Sequence, residues 1–291
     1  MSSVKPHAEI MDPHPETLQG GKGVASVEPP RRVSNKASHV LGDLLFVLTL
    51  RDIKIKYKQS MMGLLWAVLM PIIIVGAGML VRVAMSRMSD TPLPPNNVAS
   101  LCVKAIPWAF FVSAVRFATS SLTMNINLVT KINCPRIAFP VSSVLSSLFD
   151  MVIATVPLIV VLAWLGVTPS LMLLWVPILI GLLLLLVTGL GMALAAGNLF
   201  YRDVKYIVEV LLTFAIFFTP VLYDVEMFDD WSFWLLLNPI APILEGLRDV
   251  VVLKVAPDPQ WLAYSAVVAL VVFAGGAWLF RRLEPIFADR I

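Results

Sequence analysis

Charge is scarce in this chain. Of its 291 residues only 14% are Asp, Glu, Lys or Arg, while 58% are apolar and the mean hydropathy is +0.85. A soluble domain carries about 25% charged and about 45–50% apolar residues. The deficit excludes a soluble enzyme and a disordered polar chain, and it places the protein in a membrane. Cysteine is scarcer still: Cys102 and Cys134 have no paired spacing, which excludes a disulfide framework and a cysteine metal centre. The three histidines, His7, His14 and His39, lie in or beside an N-terminal stretch at no ligand spacing, so no metal site is expected. No Gly-x-x-x-x-Gly-Lys-Ser/Thr sequence occurs, and Gly20-Gly21-Lys22-Gly23 lacks its spacing and flanking strand. No nucleotide-hydrolysing site, no catalytic residue and no nucleic-acid partner are expected on this chain.

What is present is a series of long apolar runs. A spanning helix needs about 20 mostly apolar residues, and six stretches qualify: roughly 64–85, 105–125, 141–165, 171–196, 207–223 and 260–280. Leu182 to Val187 has no polar interruption, whereas barrel strands alternate over about 10 residues. The expected class is therefore an all-α integral membrane protein. The stretch 233–253 is long enough but holds Asn238-Pro239, Pro242, Glu245, Arg248 and Asp249, which break a helix and place charge in hydrocarbon. It reads as short re-entrant helices on one side. Arg51, Lys54, Lys56 and Lys58 precede the first run, and further basic residues (Lys131, Arg136, Arg202, Lys205, Arg281, Arg282, Arg290) fall on the same face if six runs cross. The segment 224–259 is acidic. By the positive-inside rule both termini are expected in the cytoplasm.

Residues 1–38 are rich in Pro and Gly and carry no signal-peptide core, and they read as a disordered cytoplasmic tail preceding a transmembrane domain over 39–291. Within His39–Ser60, Leu41, Leu44, Leu45 and Leu48 share one helical face, the pattern of a helix lying in the membrane interface. The alternation of Ile53-Lys54-Ile55-Lys56-Tyr57-Lys58 would also fit a strand, but a strand there has no ladder partner. The connection 125–140 mixes apolar and basic residues, and composition fits both a short docking helix and an ordinary loop.

Ionisable groups inside a membrane are costly and point to function or to pairing. Arg116 and Asp150 lie within the second and third runs, where they either pair with each other or face a polar path; Arg82 and Glu209 lie nearer the ends and could snorkel. Gly189-x-x-x-Ala193-x-x-x-Gly197 and Gly191-x-x-x-Ala195 predict close helix packing within the chain. Trp108, Phe110, Phe111, Phe217, Phe218 and Tyr223 fall toward the expected external side, either as an ordinary aromatic belt or as platforms for sugar rings.

Arg51-Asp52-Ile53-Lys54, Tyr57-Lys58-Gln59-Ser60, Gly63, Trp66 and Pro71 resemble the start of ABC-2 type permeases that export polysaccharides. So do Asn127-x-x-x-Lys131-x-x-x-Pro135-Arg136, Asn198-x-x-x-Arg202-Asp203-Val204, Pro220-Val221-x-Tyr223 with Asn238-Pro239, and Glu284-Pro285-x-Phe287-Ala288-Asp289. The resemblance covers about residues 40–291. It implies a homodimer whose copies each bind a separate ABC ATPase, and it puts ATP and Mg on that partner. It also implies an interface helix over 39–60, with Arg51, Lys54 and Tyr57, and a coupling helix at 125–136, with Asn127, Lys131, Pro135 and Arg136. Gate helices would lie at 225–256, in an inner-membrane subunit moving a polyprenyl-linked glycan such as O-antigen. A permease for drugs or other lipids, and a polytopic sugar transferase, are the competing readings.

Overall fold

Backbone polar groups have no water to bind in lipid, so a spanning chain must satisfy them internally. The structure, a computed structural model, describes residues 34–58, 63–89, 96–131 and 135–287, and among these it contains helices and no strand. Residues 1–33, Gln59, Ser60, Cys134 and Ala288-Asp289 lie outside the described residues, as does the side chain of Lys131.

The order is α1 (Ser34–Lys58), α2 (Gly63–Ser89), α3 (Asn97–Met124), α4 (Ile126–Lys131), α5 (Ala138–Trp164), α6 (Val176–Phe200), α7 (Asp203–Ala215), α8 (Ser232–Leu236), α9 (Ala241–Arg248) and α10 (Pro259–Leu283). Short 3-10 turns precede α6 at Leu171–Trp175 and follow α10 at Glu284–Ile286. Among the described residues, five stretches are long and apolar enough to cross a bilayer: Leu65–Met88, Asn97–Met124, Ala138–Trp164, Leu171–Phe200 and Pro259–Ile286. Pro71, Pro107 and Pro157 sit inside three of them, as membrane helices tolerate when neighbouring helices re-satisfy the freed carbonyls.

The expected run 207–223 is shorter than anticipated. α7 has 13 residues and continues as a single 3-10 turn, Ile216–Phe218, together about 26 Å against a hydrocarbon thickness of about 30 Å. Pro220 ends it. The residue before a proline is driven out of the helical region, and Thr219 is extended at φ −120°, ψ 134°. The second run begins at Asn97 rather than 105, two residues after Pro95 in the sequence.

α2, α5 and α7 run in one direction and α3, α6 and α10 in the other, so the molecule has two ends. One holds α1, α4 and the turn after α10; the other holds α8 and α9. Two apolar cores follow this division. The larger lies between α3, α5, α6 and α9, around Phe111, Val115, Leu183 and Ile243. The smaller, at the α1 end, joins Leu48 to Leu122, Val129, Phe139, Met192, Phe280 and Phe287. Leu44, Leu45 and Leu48 of α1 therefore pack against the bundle, not against lipid as the leucine face suggested. The outward side of α1 is apolar as well, with Phe46, Val47 and Ile55 exposed.

α6 meets α10 backbone to backbone. A methyl built on Gly189 would come within 2.5 Å of Phe273 Cα, and one on Gly276 would strike the Gly189 carbonyl. On the adjacent face Gly191 abuts Ala118 of α3 at 2.7 Å by the same construction. The small-residue stripe thus packs within the chain, as its spacing predicted.

Candidate functional site

At the α1 end a set of polar contacts ties together the segments expected to meet a partner. Arg51 Nη2 donates to Asp52 Oδ1 at 2.7 Å and to Asn125 Oδ1 at 2.8 Å, linking α1 to the turn that opens α4. Asp52 Oδ2 accepts from the Ser142 hydroxyl at 3.1 Å. Further along the same pair of helices, Asp150 accepts from Lys56 Nζ at 2.9 Å and from the Tyr57 hydroxyl. Burial and then the bond to Asp150 push the Tyr57 phenol well above its usual range, so the hydroxyl stays a donor. From Asp52 to Tyr57 and from Ser142 to Asp150 the contacts advance in the same chain direction. α1 climbs beside α5 and is fastened at two levels.

Asp150 therefore does not pair with Arg116. Because α3 starts at Asn97, Arg116 lies only about 12 Å from its Met124 end, and its side chain is exposed with no ion-pair partner among the described residues. Lys56 takes the carboxylate instead, while its ammonium also lies 4.2 Å from the Phe117 ring centre.

Within the segment expected to couple, Ile126–Lys131 forms α4, a single six-residue helix. Val129 is buried while Ile126, Asn127 and Thr130 are exposed, so its outer face mixes one apolar with two polar side chains. Pro135 is exposed. Arg136 turns inward: Nη1 donates to the Glu284 carbonyl at 2.7 Å, and its backbone N–H donates to Glu284 Oε1 at 3.2 Å. Lys54 is exposed on α1.

The aromatic candidates separate. Trp108, Phe110 and Phe111 are core residues of α3, with Trp108 stacked on Phe111 at 5.4 Å. The early start of α3 carries them about 16–21 Å inward from its first residue, away from an interfacial belt. Tyr223 is buried, donates to the Phe217 carbonyl at 2.8 Å and meets the Phe228 ring edge-on. Phe217 and Phe218 remain exposed.

The opposite end holds a buried ionic cluster that the sequence reading did not assemble. Arg82 and Lys104 are 0% exposed. Arg82 grips Asp224 in a fork, Nη1 to Oδ2 at 2.8 Å and Nη2 to Oδ1 at 3.0 Å, and its Nε donates to the Leu222 carbonyl. Lys104 Nζ donates to Asp224 at 2.6 Å, Glu245 at 3.0 Å and the Tyr223 carbonyl at 2.9 Å. Arg248 closes the group onto Glu245 and Glu226. Burial alone would raise the Asp224 carboxyl, but Lys104 and Arg82 outweigh it and hold it well below the carboxylate range. Arg82 is thus no snorkelling residue, and the acidic stretch after α7 is partly internal, since every residue of α9 is buried. One signal could have located the cluster. Had the second run been extended to Asn97, Lys104 would have stood out as a membrane cation needing carboxylates.

The sequence pattern of the ABC-2 type transporter family matches residues 43–252. An O-antigen export system permease protein RfbA from Klebsiella pneumoniae is 27% identical over 263 residues, 88% of this chain and 99% of its own. A protein of the same name from Myxococcus xanthus is 30% identical over 252 residues, 85% of this chain and 95% of its own. The matched span runs from the leucine face of α1 through α4 to the buried α9, and the chain belongs to the ABC-2 type transporter family, as a membrane permease domain.

Proposed function

We propose that this chain is the membrane subunit of an ATP-driven exporter that moves a lipid-linked, O-antigen-like polysaccharide across the inner membrane. Two copies form the pathway, and each engages a separate ABC ATPase that binds ATP and Mg. The observation that carries the coupling half of this reading is the polar fastening at one end: Arg51 joins α1 to the start of α4, and Arg136 joins the α4 connection to Glu284. A push on α4 from an ATPase is thereby transmitted to α1, α5 and the end of α10 together. Arg51, Lys54, Lys58, Arg202, Lys205, Arg281 and Arg282 fall at the same end, which supports a cytoplasmic placement of that end and of both termini. On this topology α7 with its 3-10 turn is a shortened fifth crossing, and α8 and α9 are gate helices on the external side. Asn127, Lys131 and Pro135 belong to the ATPase-facing segment, which Arg136 braces from within, with Arg51, Lys54 and Tyr57 behind it.

The glycan half is supported by the relatives, whose names describe O-antigen export and which align over nearly their whole length. Phe217, Phe218 and Trp234 are exposed near the external side, available as stacking surfaces for sugar rings. Deleting the gene in its host should abolish surface polysaccharide and leave polyprenyl-linked glycan in the inner leaflet. Undiminished surface polysaccharide in the deletion strain would reject the glycan assignment in favour of another lipid or a drug.

A further inference from the structure

α9 runs into a single π-helical turn, Asp249–Leu253, and then into Lys254 at φ 59°, ψ 32°. Turns of this kind are rare and recur at functional sites. Among the described residues Lys254 is the only non-glycine with a positive φ, a strained conformation that its surroundings must hold. Two grips hold it. The Asp249 carbonyl accepts from the N–H groups of both Lys254 and Val255, the latter at 3.1 Å. Lys254 Nζ donates to the Thr168 hydroxyl at 2.5 Å, in the connection between α5 and α6. Beyond the turn the chain folds back on α9, where a methyl built on Gly246 would lie 3.2 Å from Pro257. The backbone of Asp249 is thus the anchor of the closing turn.

The side chain of the same residue is poorly placed as an anion. It lines a cavity of about 260 Å³ with Glu226, Glu245, Arg248, Asp258 and Trp261 among others. Arg248 is already held by Glu226 at 3.1 Å and Glu245 at 3.2 Å. Lys104, reaching in from α3, is bound to Asp224 and Glu245, and Lys254 to Thr168. The Asp249 carboxyl has no hydrogen bond or ion pair among the described residues. Its neighbours include three other carboxylates: Glu245 of α9, Glu226 of the 225–231 turn and Asp258 before α10. Burial and then the charge of Glu245 raise it from 3.8 to about 6, with Glu226 adding and Arg248 and Lys104 opposing. The neutral acid fits this cavity. The carboxylate gains by reaching water, and to do so it must release the turn that its own backbone anchors.

We propose that residues 249–255 form a proton-operated latch on the end of α9: with Asp249 neutral the turn closes, and with Asp249 ionised the carboxylate moves to water and the turn opens. The latch rests on the topology proposed above only for its side, which makes external pH its signal.

Hydrogen exchange of the full chain in nanodiscs, read by mass spectrometry over residues 250–256 and corrected for the intrinsic pH dependence of exchange, measures this opening. The closed form binds the proton more tightly, so closure is favoured at low pH and lost as pH rises through about 6. The opening constant should rise about tenfold from about pH 5 to about pH 7, the linkage of a carboxyl whose affinity for the proton differs this much between the two forms. Asp249→Asn, neutral throughout, should keep the segment protected at both values. Glu226→Gln removes a negative neighbour from a largely exposed position and should shrink the rise. Equal protection of the native chain at the two pH values, a rise that persists in Asp249→Asn, or an unchanged rise in Glu226→Gln would overturn the proposal. The same rise in peptides of α6 and α10 would overturn it in favour of global opening. None of these outcomes bears on the cargo, so the latch and the glycan assignment fail separately.

Discussion

Lys104 is held by three acceptors and sees no solvent. Its removal takes one buried cation from a group of carboxylates, leaving Asp224 to Arg82 and Glu245 to Arg248. Breaking a buried pair from one side costs about 3–5 kcal/mol, so Lys104→Met should lower the melting temperature in detergent markedly, and more than the surface change Lys54→Met. Similar melting temperatures for the two variants would show that the cluster contributes little. The same cluster makes stability depend on pH. Burial, then the charge of Glu245, raises Asp249 from 3.8 to about 6, with Glu226 adding to the shift and Arg248 and Lys104 opposing it. The folded chain binds that proton more tightly than the unfolded one, so this stabilisation is present at low pH and is lost as pH rises through about 6. Asp224, held low, acts in the other direction: its stabilisation is lost as pH falls below the ordinary carboxylate range. Melting temperature should therefore rise from about pH 7 to about pH 5 and fall again below about pH 4. Asp249→Asn should flatten the first of these limbs. An unaltered profile in that variant would assign the limb to another group.

At the scale of elements, two neighbouring glycines on α10 make opposite predictions. A methyl on Gly275 meets nothing within 4 Å, whereas one on Gly276 collides with the Gly189 backbone of α6. Gly275→Ala should be neutral or stabilise by about 0.5–1 kcal/mol through helix propensity. Gly276→Ala should separate the two helices and lower the melting temperature. Equal effects would mean that α6 and α10 do not approach this closely. The stripe from Gly189 to Gly197 was legible in the sequence because small residues four apart have one main use in a membrane helix. Its partner was not legible, since Gly276 sits among ordinary apolar residues and only the contact distinguishes it from Gly275. Helix existence was likewise readable from apolar runs, but helix ends were not. Placing α3 eight residues late hid Lys104, moved Trp108 to Phe111 toward a belt they do not join, and put Arg116 opposite an Asp150 that Lys56 already holds.

For the whole molecule, the question is whether α4 is a contact surface, a structural brace, or both. Its outward polar residues, Asn127 and Thr130, make no side-chain hydrogen bond across the bundle among the described residues, while Arg136 just beyond it binds Glu284 twice. The two roles therefore reside in different side chains, which makes them separable. Asn127→Arg places a charge on the outer face and should reduce co-purification of the cognate ATPase while leaving the melting temperature of the permease unchanged. Arg136→Ala removes a brace between distant parts of the chain and should lower both capture and melting temperature. If α4 serves only to close the fold, Asn127→Arg will leave capture intact and Arg136→Ala will affect stability alone. If it serves only as a docking helix, both variants will lose the ATPase at an unchanged melting temperature. The fastening of α1, α4 and α10 at one end favours the mixed outcome, because a lever must be gripped on one side and anchored on the other.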